Sequence, residues 1–294
     1  MCNVDHVKVS VTGASGLIGA ALATSLRGDG HDVTAVRRKD GRFVTDDLLH
    51  ADAVVHLAGE SIGGKLRWNA EHKRKVLRSR VEGTHQIAEF LAGRDRLPAS
   101  LLSASAVGYY GSDRGDEVLD ESSDSGTGFL AEVCREWEAA TEPAEAAGIR
   151  VVHLRTGIVL SPEGGLLPRF VTPGKFGLGA KLGSGRQWTS WISLSDEVRA
   201  IRFALDNDEI HSALNLTAPH PATNAQLTSA IGSVLRRPAF MQVPAFALRL
   251  ALGSEAAEET VLASQRVQPA ALLRGRFEFQ DPELEPTLRQ MLGS

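Results

Sequence analysis

The sequence predicts an α/β fold, in which a doubly wound parallel sheet carries helices on both faces and a smaller cap on one side. Valines alternate with polar residues from Val7 to Val11, which is typical of a strand. Glycines follow at once, and apolar residues then recur at helical spacing as far as Leu26. Two later runs, at 53–59 and 148–155, are apolar enough for strands that are buried on both faces of a parallel sheet.

The turn between the first strand and the first helix contains Gly13, Gly16 and Gly19. In a dinucleotide site the first glycine permits a tight turn, the second lets the backbone approach a pyrophosphate, and the third lets the helix pack closely. The helix N-terminus then offers free N–H groups to the phosphates. The cofactor contacts predicted here are Gly13, Ser15, Gly16, Leu17, Ile18 and Gly19. The alternative is a tight strand–helix turn that binds nothing.

The glycine spacing is G-x-x-G-x-x-G rather than the G-x-G-x-x-G of simple dehydrogenases. This spacing resembles that of the extended short-chain dehydrogenase/reductase superfamily, which includes the sugar-nucleotide epimerases. The resemblance implies a Rossmann-type doubly wound parallel sheet and a nicotinamide cofactor.

Composition excludes several classes of protein. The chain has 294 residues, of which 43% are hydrophobic and 23% charged, as in an ordinary globular protein. A net charge of −4 gives no reason to expect nucleic-acid binding. The first residues lack the features of a signal peptide, and no apolar run approaches the ~18 residues of a membrane span. Cys2 and Cys134 do not suggest a disulfide framework, so we expect a cytoplasmic protein, and the histidines show no metal-site spacing.

The second strand, predicted at 32–36, determines the cofactor preference. An acidic residue closes this strand in NAD-binding proteins, where it bonds the ribose 2′-hydroxyl. Here Arg37, Arg38 and Lys39 follow, and a cationic cluster favours a 2′-phosphate. We therefore predict NADP, bound by Arg37 and Arg38. The alternative is a solvated basic loop, since Asp40 comes too late in the turn to replace the missing acid.

The third strand ends in Leu57, Ala58 and Gly59. Strand ends in open α/β sheets face the ligand crevice, so these three residues are expected beside the glycine turn and against the cofactor. His56, within the strand, is expected to be a packed core histidine.

A long helix is predicted at 69–91. Within it, residues 80–84 resemble the superfamily's N-V-x-G-T motif, with Arg80 in place of the usual Asn. The resemblance implies that the Arg80 guanidinium reaches phosphate or ribose oxygens of the cofactor. The alternative is a structural ion pair.

The next strand, at 99–105, leads into a segment that resembles the superfamily's S-S-x-x-V-Y-G block. In such enzymes a Ser or Thr at this strand end bonds the reacting oxygen. Ser105 matches that role, and Ser103 matches it less well. The alternative is a buried hydroxyl that bonds the backbone.

Enzymes of this superfamily use a Tyr-x-x-x-Lys pair, because a phenol with a pKa of ~10 needs a nearby cation to lower that pKa before it can transfer a proton at neutral pH. The helix expected after position 128 contains neither residue type, and no lysine lies between Lys75 and Lys175. Tyr109 and Tyr110 are the only tyrosines in the chain. Tyr110 precedes Arg114 in a Tyr-x-x-x-Arg sequence. Tyr110 is therefore the second catalytic candidate, although it is expected in a loop.

The predicted cap begins where residues 156–190 leave the sheet. By resemblance to the superfamily, the first part of this excursion covers the nicotinamide, and Val159 contacts it. A helix is expected to begin after it, capped by Ser195 or Asp196. The cations that would give the cap a preference for anions are Arg169, Lys175, Lys181 and Arg186.

Blocks at 57–60, 79–84, 154–160, 183–187 and 191–192 together resemble one atypical branch, the epimerase family protein 39U-like or cell-division-inhibitor-like epimerases. That branch carries a C-terminal module, binds NADP and generally lacks the Tyr/Lys pair. We therefore expect a dinucleotide-binding domain at 1–217 and a substrate-side module at 218–294.

Two functions remain open at the level of sequence. The first is an oxidoreductase or epimerase that acts on an unidentified small polar substrate, free or nucleotide-linked. The second is an NADP-dependent sensor or partner-binding protein that has lost catalysis. The missing Tyr/Lys pair favours the second function, and the elaborate cap favours the first.

Overall fold

A computed structural model describes residues 6–62 and 67–293 of the chain. The strands within those ranges are β1 (Lys8–Thr12), β2 (Asp32–Ala35), β3 (Arg38–Lys39), β4 (Arg42–Phe43), β5 (Ala53–His56), β6 (Ser100–Ala106), β7 (Asp113–Leu119), β8 (Arg150–Thr156), β9 (Ile158–Ser161), β10 (Gly164–Gly165), β11 (Ala180–Leu182), β12 (Trp188–Thr189), β13 (Trp191–Ser193), β14 (Ser212–Leu216), β15 (Ala222–Thr223), β16 (Met241–Val243) and β17 (Ser264–Val267).

The helices within the same ranges are α1 (Leu17–Gly28), α2 (Ala70–Ala92), α3 (Phe129–Ala139), α4 (Glu142–Ala146), α5 (Leu167–Lys175), α6 (Leu194–Asp206), α7 (Asn224–Leu235), α8 (Ala245–Leu252), α9 (Ser254–Glu259), α10 (Ala270–Arg274) and α11 (Leu284–Leu292). Single turns of 3-10 helix lie at Thr45–Leu48 and Val107–Tyr110.

Six parallel strands form the central sheet, in the order β14-β8-β6-β5-β1-β2. Helices α1 and α6 pack on one face, and α2, α3 and α4 pack on the other. This arrangement confirms the predicted doubly wound, Rossmann-type sheet. The strand order reverses at β1, which lies between β2 and β5, so the ligand crevice is expected at the carboxyl ends of β1 and β5.

A second, smaller layer covers the carboxyl side of the sheet. It contains the sheet β10-β9-β13 and a core formed by α5, α7 and α11. Three two-stranded sheets cross the predicted boundary at 217, because β7 pairs with β17, β11 with β16, and β12 with β15. The division into two domains at 217 stays a prediction, and the strands of its two parts are interleaved.

The cap of α6 differs from the prediction. Ser193 is the N-cap residue, and its hydroxyl accepts a hydrogen bond of 3.0 Å from the backbone N–H of Asp196. The predicted cap at Ser195 or Asp196 is therefore wrong. The Asp196 carboxylate instead accepts hydrogen bonds from the backbone N–H groups of Gln280 and Asp281, at 3.0 and 2.8 Å. It thereby connects the C-terminal segment to α6.

Of the two cysteines, Cys134 is buried and unpaired, and Cys2 lies outside the described residues. Residues 63–66, between β5 and α2, also lie outside them. Within the described ranges, no helix has both the length and the apolar character that a membrane span requires.

Candidate functional site

The glycine turn after β1 has the conformation that its sequence predicts. Gly13 has a φ of +68°, which favours glycine, and its carbonyl accepts a 2.9 Å hydrogen bond from the Gly16 N–H. A Cβ on Gly19 would overlap the Gly13 carbonyl group and lie 2.8 Å from its carbon. The third glycine therefore lets α1 begin directly against the turn.

The N-terminus of α1 is open to a ligand. Gly16 precedes the helix and supplies no side chain to cap it, and the first turn contains no acidic residue. The first N–H groups of a helix have no partner within it, and the helix dipole places positive charge there. This helix end therefore offers donors to an anion, and Ser15 and Gly16 beside it are exposed.

A cavity of about 440 Å³ extends from this turn along the carboxyl ends of β1, β5, β6 and β8. Its walls are mainly apolar, and its polar groups include the hydroxyls of Ser105 and Thr156. The lining residues are Gly13, Gly16, Leu17, Ile18, Gly19, Leu57, Ala104, Ser105, Trp137, Thr156, Ile158, Val159, Gly165 and Leu166. The structure thus brings most of the predicted turn residues together with Leu57, Val159 and Ser105.

A second cavity, of about 500 Å³, is basic and includes Arg38 and Arg42 in its lining. These arginines lie on the β3–β4 hairpin, whose tip consists of Asp40 and Gly41 with φ values of 51° and 79°. Positive φ at both tip residues is the pattern of a type I′ turn, which Asp-Gly favours. The Arg38 guanidinium lies 4.4 Å from the centre of the Phe43 ring.

Two further cations line the basic cavity, and both are already paired. Lys75 forms a 2.7 Å ion pair with Glu71, and Arg78 forms a 2.8 Å ion pair with Glu82. Among the described residues, Arg38 and Arg42 have no carboxylate partner. These two guanidinium groups are therefore the cations of this cavity that remain available for an anion.

Arg37 is held elsewhere. Its guanidinium makes two hydrogen bonds to the Asp47 carboxylate, at 2.9 and 2.6 Å, and it lines neither cavity. This pairing raises the pKa of Arg37 and lowers the pKa of Asp47. The structure therefore places Arg38, but not Arg37, in the lining of the basic cavity, and the contact of either residue with a 2′-phosphate stays a prediction.

The end of β5 is fixed by a residue that the sequence did not single out. The Thr12 hydroxyl oxygen accepts hydrogen bonds from the N–H groups of Leu57 and Ala58, at 3.1 and 3.2 Å. It also lies 2.7 Å from Nδ1 of His56. Burial lowers the pKa of His56 to about 3, so this histidine is a neutral core residue, as predicted.

Arg80 lies between the two cavities and is buried, with 7% of its surface exposed. Its Nη1 donates to the carbonyl oxygens of Glu60 and Val76, at 2.9 and 3.2 Å, and its guanidinium lies 4.9 Å from the Trp137 ring. Among the described residues it forms no ion pair, and its buried Nε has no partner. Gly59 makes room for it, because a Cβ there would lie 3.3 Å from the guanidinium carbon.

Ser105 is the end of a buried polar chain. Its hydroxyl donates a 2.7 Å hydrogen bond to Glu138, and Glu138 binds Arg155 through two hydrogen bonds of 2.9 Å. Ser105 lines the first cavity, whereas Ser103 is fully buried and does not. The structure therefore favours Ser105 over Ser103, and sequence reasoning missed Glu138 and Arg155 as its partners.

Tyr110 lies outside the lining of the cavity, so its position does not support the predicted catalytic role. It is fully buried, and its hydroxyl donates to Asn215 at 2.8 Å and accepts from Arg155 at 3.1 Å. Burial raises the pKa of Tyr110 to about 12. Arg114 does not assist it, because its guanidinium binds the Glu117 carboxylate. The Tyr110 hydroxyl bonds Arg155, which in turn binds Glu138, and Tyr110 does not line the cavity.

Helix α3 contains neither a Tyr nor a Lys. When the Tyr-x-x-x-Lys spacing is placed at residues 130 and 134 of this helix, the two positions are occupied by Leu130 and Cys134. Burial raises the pKa of Cys134 to about 12, so its thiol stays protonated. The N-terminus of α3 is capped from a distant part of the chain, since the Glu259 carboxylate accepts hydrogen bonds of 2.6 Å from the N–H groups of Phe129 and Leu130.

Thr156 and Glu197 form a pair that sequence reasoning missed. The Thr156 hydroxyl, which lines the first cavity, donates a 2.9 Å hydrogen bond to Oε1 of Glu197. Glu197 is fully buried, its Oε2 has no partner among the described residues, and burial raises its pKa to about 8. An acid in the first turn of an amphipathic helix resembles a surface residue, so no sequence pattern indicated this pair.

The predicted cap cations do not converge on the first cavity, because Arg169, Lys175, Lys181 and Arg186 are absent from its walls. A search of the described ranges finds no group of His, Cys, Asp or Glu side chains placed to hold a metal ion.

Comparison with known proteins agrees with this geometry. Residues 9–216 match the NAD dependent epimerase/dehydratase family, and residues 243–291 match a domain of unknown function, DUF1731. The chain is 44% identical over 284 residues to the epimerase family protein ML0860 of Mycobacterium leprae, covering 92% of this chain and 91% of that protein. It is 36% identical over 309 residues to the chloroplastic SDR39U1 homolog of Arabidopsis thaliana, covering 98% of this chain and 87% of that protein.

Solved structures give the same picture. The crystal structure of human epimerase family protein SDR39U1 with NADPH superposes with a TM-score of 0.90 at 33% identity, covering 98% of this chain and 99% of that one. A UDP-glucose 4-epimerase from Thermotoga maritima superposes with a TM-score of 0.76 at 16% identity, covering 97% of each chain, which supports the fold alone.

Proposed function

Because the chain belongs to the NAD dependent epimerase/dehydratase family, we propose that it is an NADP-dependent oxidoreductase or epimerase. Its substrate is an unidentified small polar molecule that reacts in the cavity between the glycine turn and Ser105. The observation that carries the proposal is the uncapped N-terminus of α1, which opens through a glycine turn into this cavity.

The residues present fit a dinucleotide. The turn leaves room for a pyrophosphate at the N–H groups of Leu17 and Ile18, because Gly16 carries no side chain. Arg80 lines neither cavity, but its buried Nε lacks a partner among the described residues, and we expect it to donate toward a ribose or phosphate oxygen once the cofactor is bound.

The basic cavity supports NADP over NAD. Arg38 and Arg42 would hold the 2′-phosphate, since both guanidinium groups are free of carboxylates among the described residues. The human relative crystallised with NADPH is consistent with this preference. Arg37 takes no part, because Asp47 already holds it.

When bound, the nicotinamide supplies or accepts a hydride. Ser105 then faces the reacting oxygen of the substrate. A serine hydroxyl has one hydrogen to donate, and that hydrogen is directed at Glu138, so Ser105 accepts a hydrogen bond from a substrate hydroxyl. Arg155 fixes the Glu138 carboxylate and thereby the direction of the Ser105 hydroxyl. This arrangement suits the oxidation of an alcohol better than the protonation of a carbonyl, because the proton that the substrate hydroxyl gives up would pass through the Ser105 hydroxyl to the Glu138 carboxylate.

Calorimetric titration with NADP(H) and NAD(H), followed by a screen of alcohols, carbonyl compounds and sugar nucleotides on nicotinamide absorbance, tests the proposal. We expect NADP(H) to bind more tightly than NAD(H), and a turnover that Ser105→Ala abolishes without loss of cofactor binding. Failure of NADP(H) to bind would contradict the proposed cofactor.

A second function is favoured by Leu130 and Cys134 at the positions of the missing pair. An NADP sensor that binds a partner would keep the glycine turn and would not need the catalytic Tyr and Lys. Tight NADP(H) binding with no turnover of any compound in the screen would favour this sensor over the enzyme.

A further inference from the structure

A buried carboxyl group lies directly behind the wall of the proposed cofactor cavity. Glu197 has no exposed surface, and its carboxyl group accepts a 2.9 Å hydrogen bond from the hydroxyl of Thr156, a residue that lines the cavity. Neither the cap of α6 nor any ion pair among the described residues uses Glu197, since Ser193 provides the cap. The protein therefore holds an ionisable group that the proposed chemistry does not explain.

Among the described residues, no charged side chain of α1, β6, β8, β9 or β13, which all pack against α6, faces this carboxyl group. Strands β6, β9 and β13 contain no charged residue. The charged residue of α1 is Arg27, in the last turn, where it donates to the Val33 carbonyl oxygen.

Strand β8 contains Arg150, His153 and Arg155, and none of them reaches Glu197. Side chains alternate along a strand, so His153 and Arg155 point away from Thr156, toward α3 and α4, where they bond Thr141 and Glu138. Arg150 lies at the opposite end of β8 and binds backbone carbonyls.

The charged neighbours on α6 itself have other partners. Asp196 binds Arg199 and two backbone N–H groups of the C-terminal segment. Arg202 pairs with Asp29 on the far side of α1, and Asp206 lies at the opposite end of the helix. Burial is therefore what raises the pKa of Glu197 to about 8, with the Thr156 hydrogen bond opposing it.

The proposed function determines which half of the cofactor lies beside Thr156. With the pyrophosphate at α1 and the adenosine half toward Arg38, the nicotinamide half extends into the cavity lined by Thr156, Ile158 and Val159. The oxidised ring carries a formal positive charge, and the reduced ring carries none. A carboxylate behind Thr156 therefore distinguishes the two redox states electrostatically.

We propose that Glu197 sets the preference of this protein between NADP⁺ and NADPH, and that it acts through Thr156 as a positioning residue of the nicotinamide site. This inference rests on the proposed cofactor and goes beyond it. Ionised Glu197 stabilises the positively charged oxidised ring, and protonated Glu197 leaves the neutral reduced ring favoured.

The linkage between cofactor binding and proton binding at Glu197 determines in which direction the affinities change with pH. NADP⁺ binding lowers the pKa of Glu197, so at neutral pH it releases a proton, whereas NADPH binding does not. Raising the pH from about 6.5 to about 9 should therefore improve the affinity for NADP⁺ relative to NADPH, by about tenfold for a charge one side chain away. The 2′-phosphate titrates equally in both forms, so its contribution cancels in the ratio.

The experiment measures the dissociation constants of NADP⁺ and NADPH by calorimetry across this pH range, with proton release obtained from buffers of different ionisation enthalpy. The full chain is compared with Glu197→Gln and with Glu209→Gln, which removes an exposed carboxylate in the loop that follows α6. We expect the pH-dependent ratio in the native chain and in Glu209→Gln, and a ratio that does not change with pH in Glu197→Gln.

If the ratio of the NADP⁺ and NADPH dissociation constants does not change with pH in the native chain, the inference is wrong. This measurement needs no variant, so it tests the inference even if Glu197→Gln does not fold. A ratio that still depends on pH in a folded Glu197→Gln protein would overturn it as well. If neither form of the cofactor binds, the proposed function itself fails, and the inference fails with it.

Discussion

Arg38 and Arg37 are adjacent in the chain and have different surroundings. Both were predicted to bind the 2′-phosphate, yet only Arg38 lines the basic cavity, because Asp47 holds Arg37. Sequence proximity alone could not separate them. The acid that pairs with Arg37 follows ten residues later, in a 3-10 turn that no periodicity indicated.

Arg38→Ala should weaken NADP binding by about 10- to 100-fold, the loss expected for a charged hydrogen bond to phosphate. NAD binding should change little, because NAD lacks the 2′-phosphate. Calorimetric titration checks both values. Arg37→Ala is the matched control, and an equal loss of NADP affinity in that variant would contradict the assignment.

Glu138 has a structural role that can be measured without any substrate. Its side chain is 11% exposed and that of Arg155 is 5% exposed, so removing one leaves the other charge buried and uncompensated. Glu138→Ala should lower the free energy of unfolding by about 3 kcal/mol. Urea denaturation measures this. Glu82→Ala breaks the exposed ion pair with Arg78 and should cost far less.

At the scale of elements, the strand–turn–helix unit at 8–28 was the part of the chain that sequence predicted best. Alternating valines, the three glycines and the helical period all indicated the same unit, and the structure has it. The cap of α6 was predicted less well, because Ser193, Ser195 and Asp196 are all capping residue types. Only the tertiary contacts of Asp196 decide between them.

Gly19→Ala should disturb this unit more than Gly16→Ala. A Cβ at Gly19 would overlap the Gly13 carbonyl group, whereas a Cβ at Gly16 would lie 3.3 Å from the Gly13 oxygen. Overpacking of this kind costs about 1 to 3 kcal/mol, so Gly19→Ala should unfold at a lower temperature and bind no cofactor. We expect Gly16→Ala to stay folded and to bind NADP(H) weakly.

Thermal denaturation and titration check both variants. Gly28→Ala is the control, because nothing lies within 4 Å of a Cβ at that position. Unchanged stability in Gly19→Ala would show that the turn tolerates a side chain there and would contradict the close-packing argument.

At the scale of the whole molecule, the parallel sheet and the family were both predicted from sequence and are confirmed. The polar network around Ser105 was not predicted. Its members Glu138, Arg155 and Asn215 come from three separate elements, and each occurs in a segment whose local pattern indicates only helix or strand. Local patterns predict elements, and they do not predict which polar residues meet when the elements pack.

A fragment that ends at residue 217 should be much less stable than the full chain. It would lose the partner strands of β7, β11 and β12, and it would lose Glu259, which caps α3. Comparing the thermal unfolding of the fragment with that of the full chain measures the difference. Equal melting temperatures would show that residues 1–217 form an independent domain.

The pairing of β7 with β17 has a consequence for synthesis on the ribosome. Ser264 pairs with Asp113, so the partner of β7 is translated roughly 150 residues after β7 itself. During that interval the nascent chain has a nearly complete central sheet and an unsatisfied strand edge beside it. An exposed edge of this kind is a template for pairing with other chains. We therefore expect newly made copies to be most prone to aggregate late in translation, when the central sheet has formed and β17, the partner of β7, has not yet emerged.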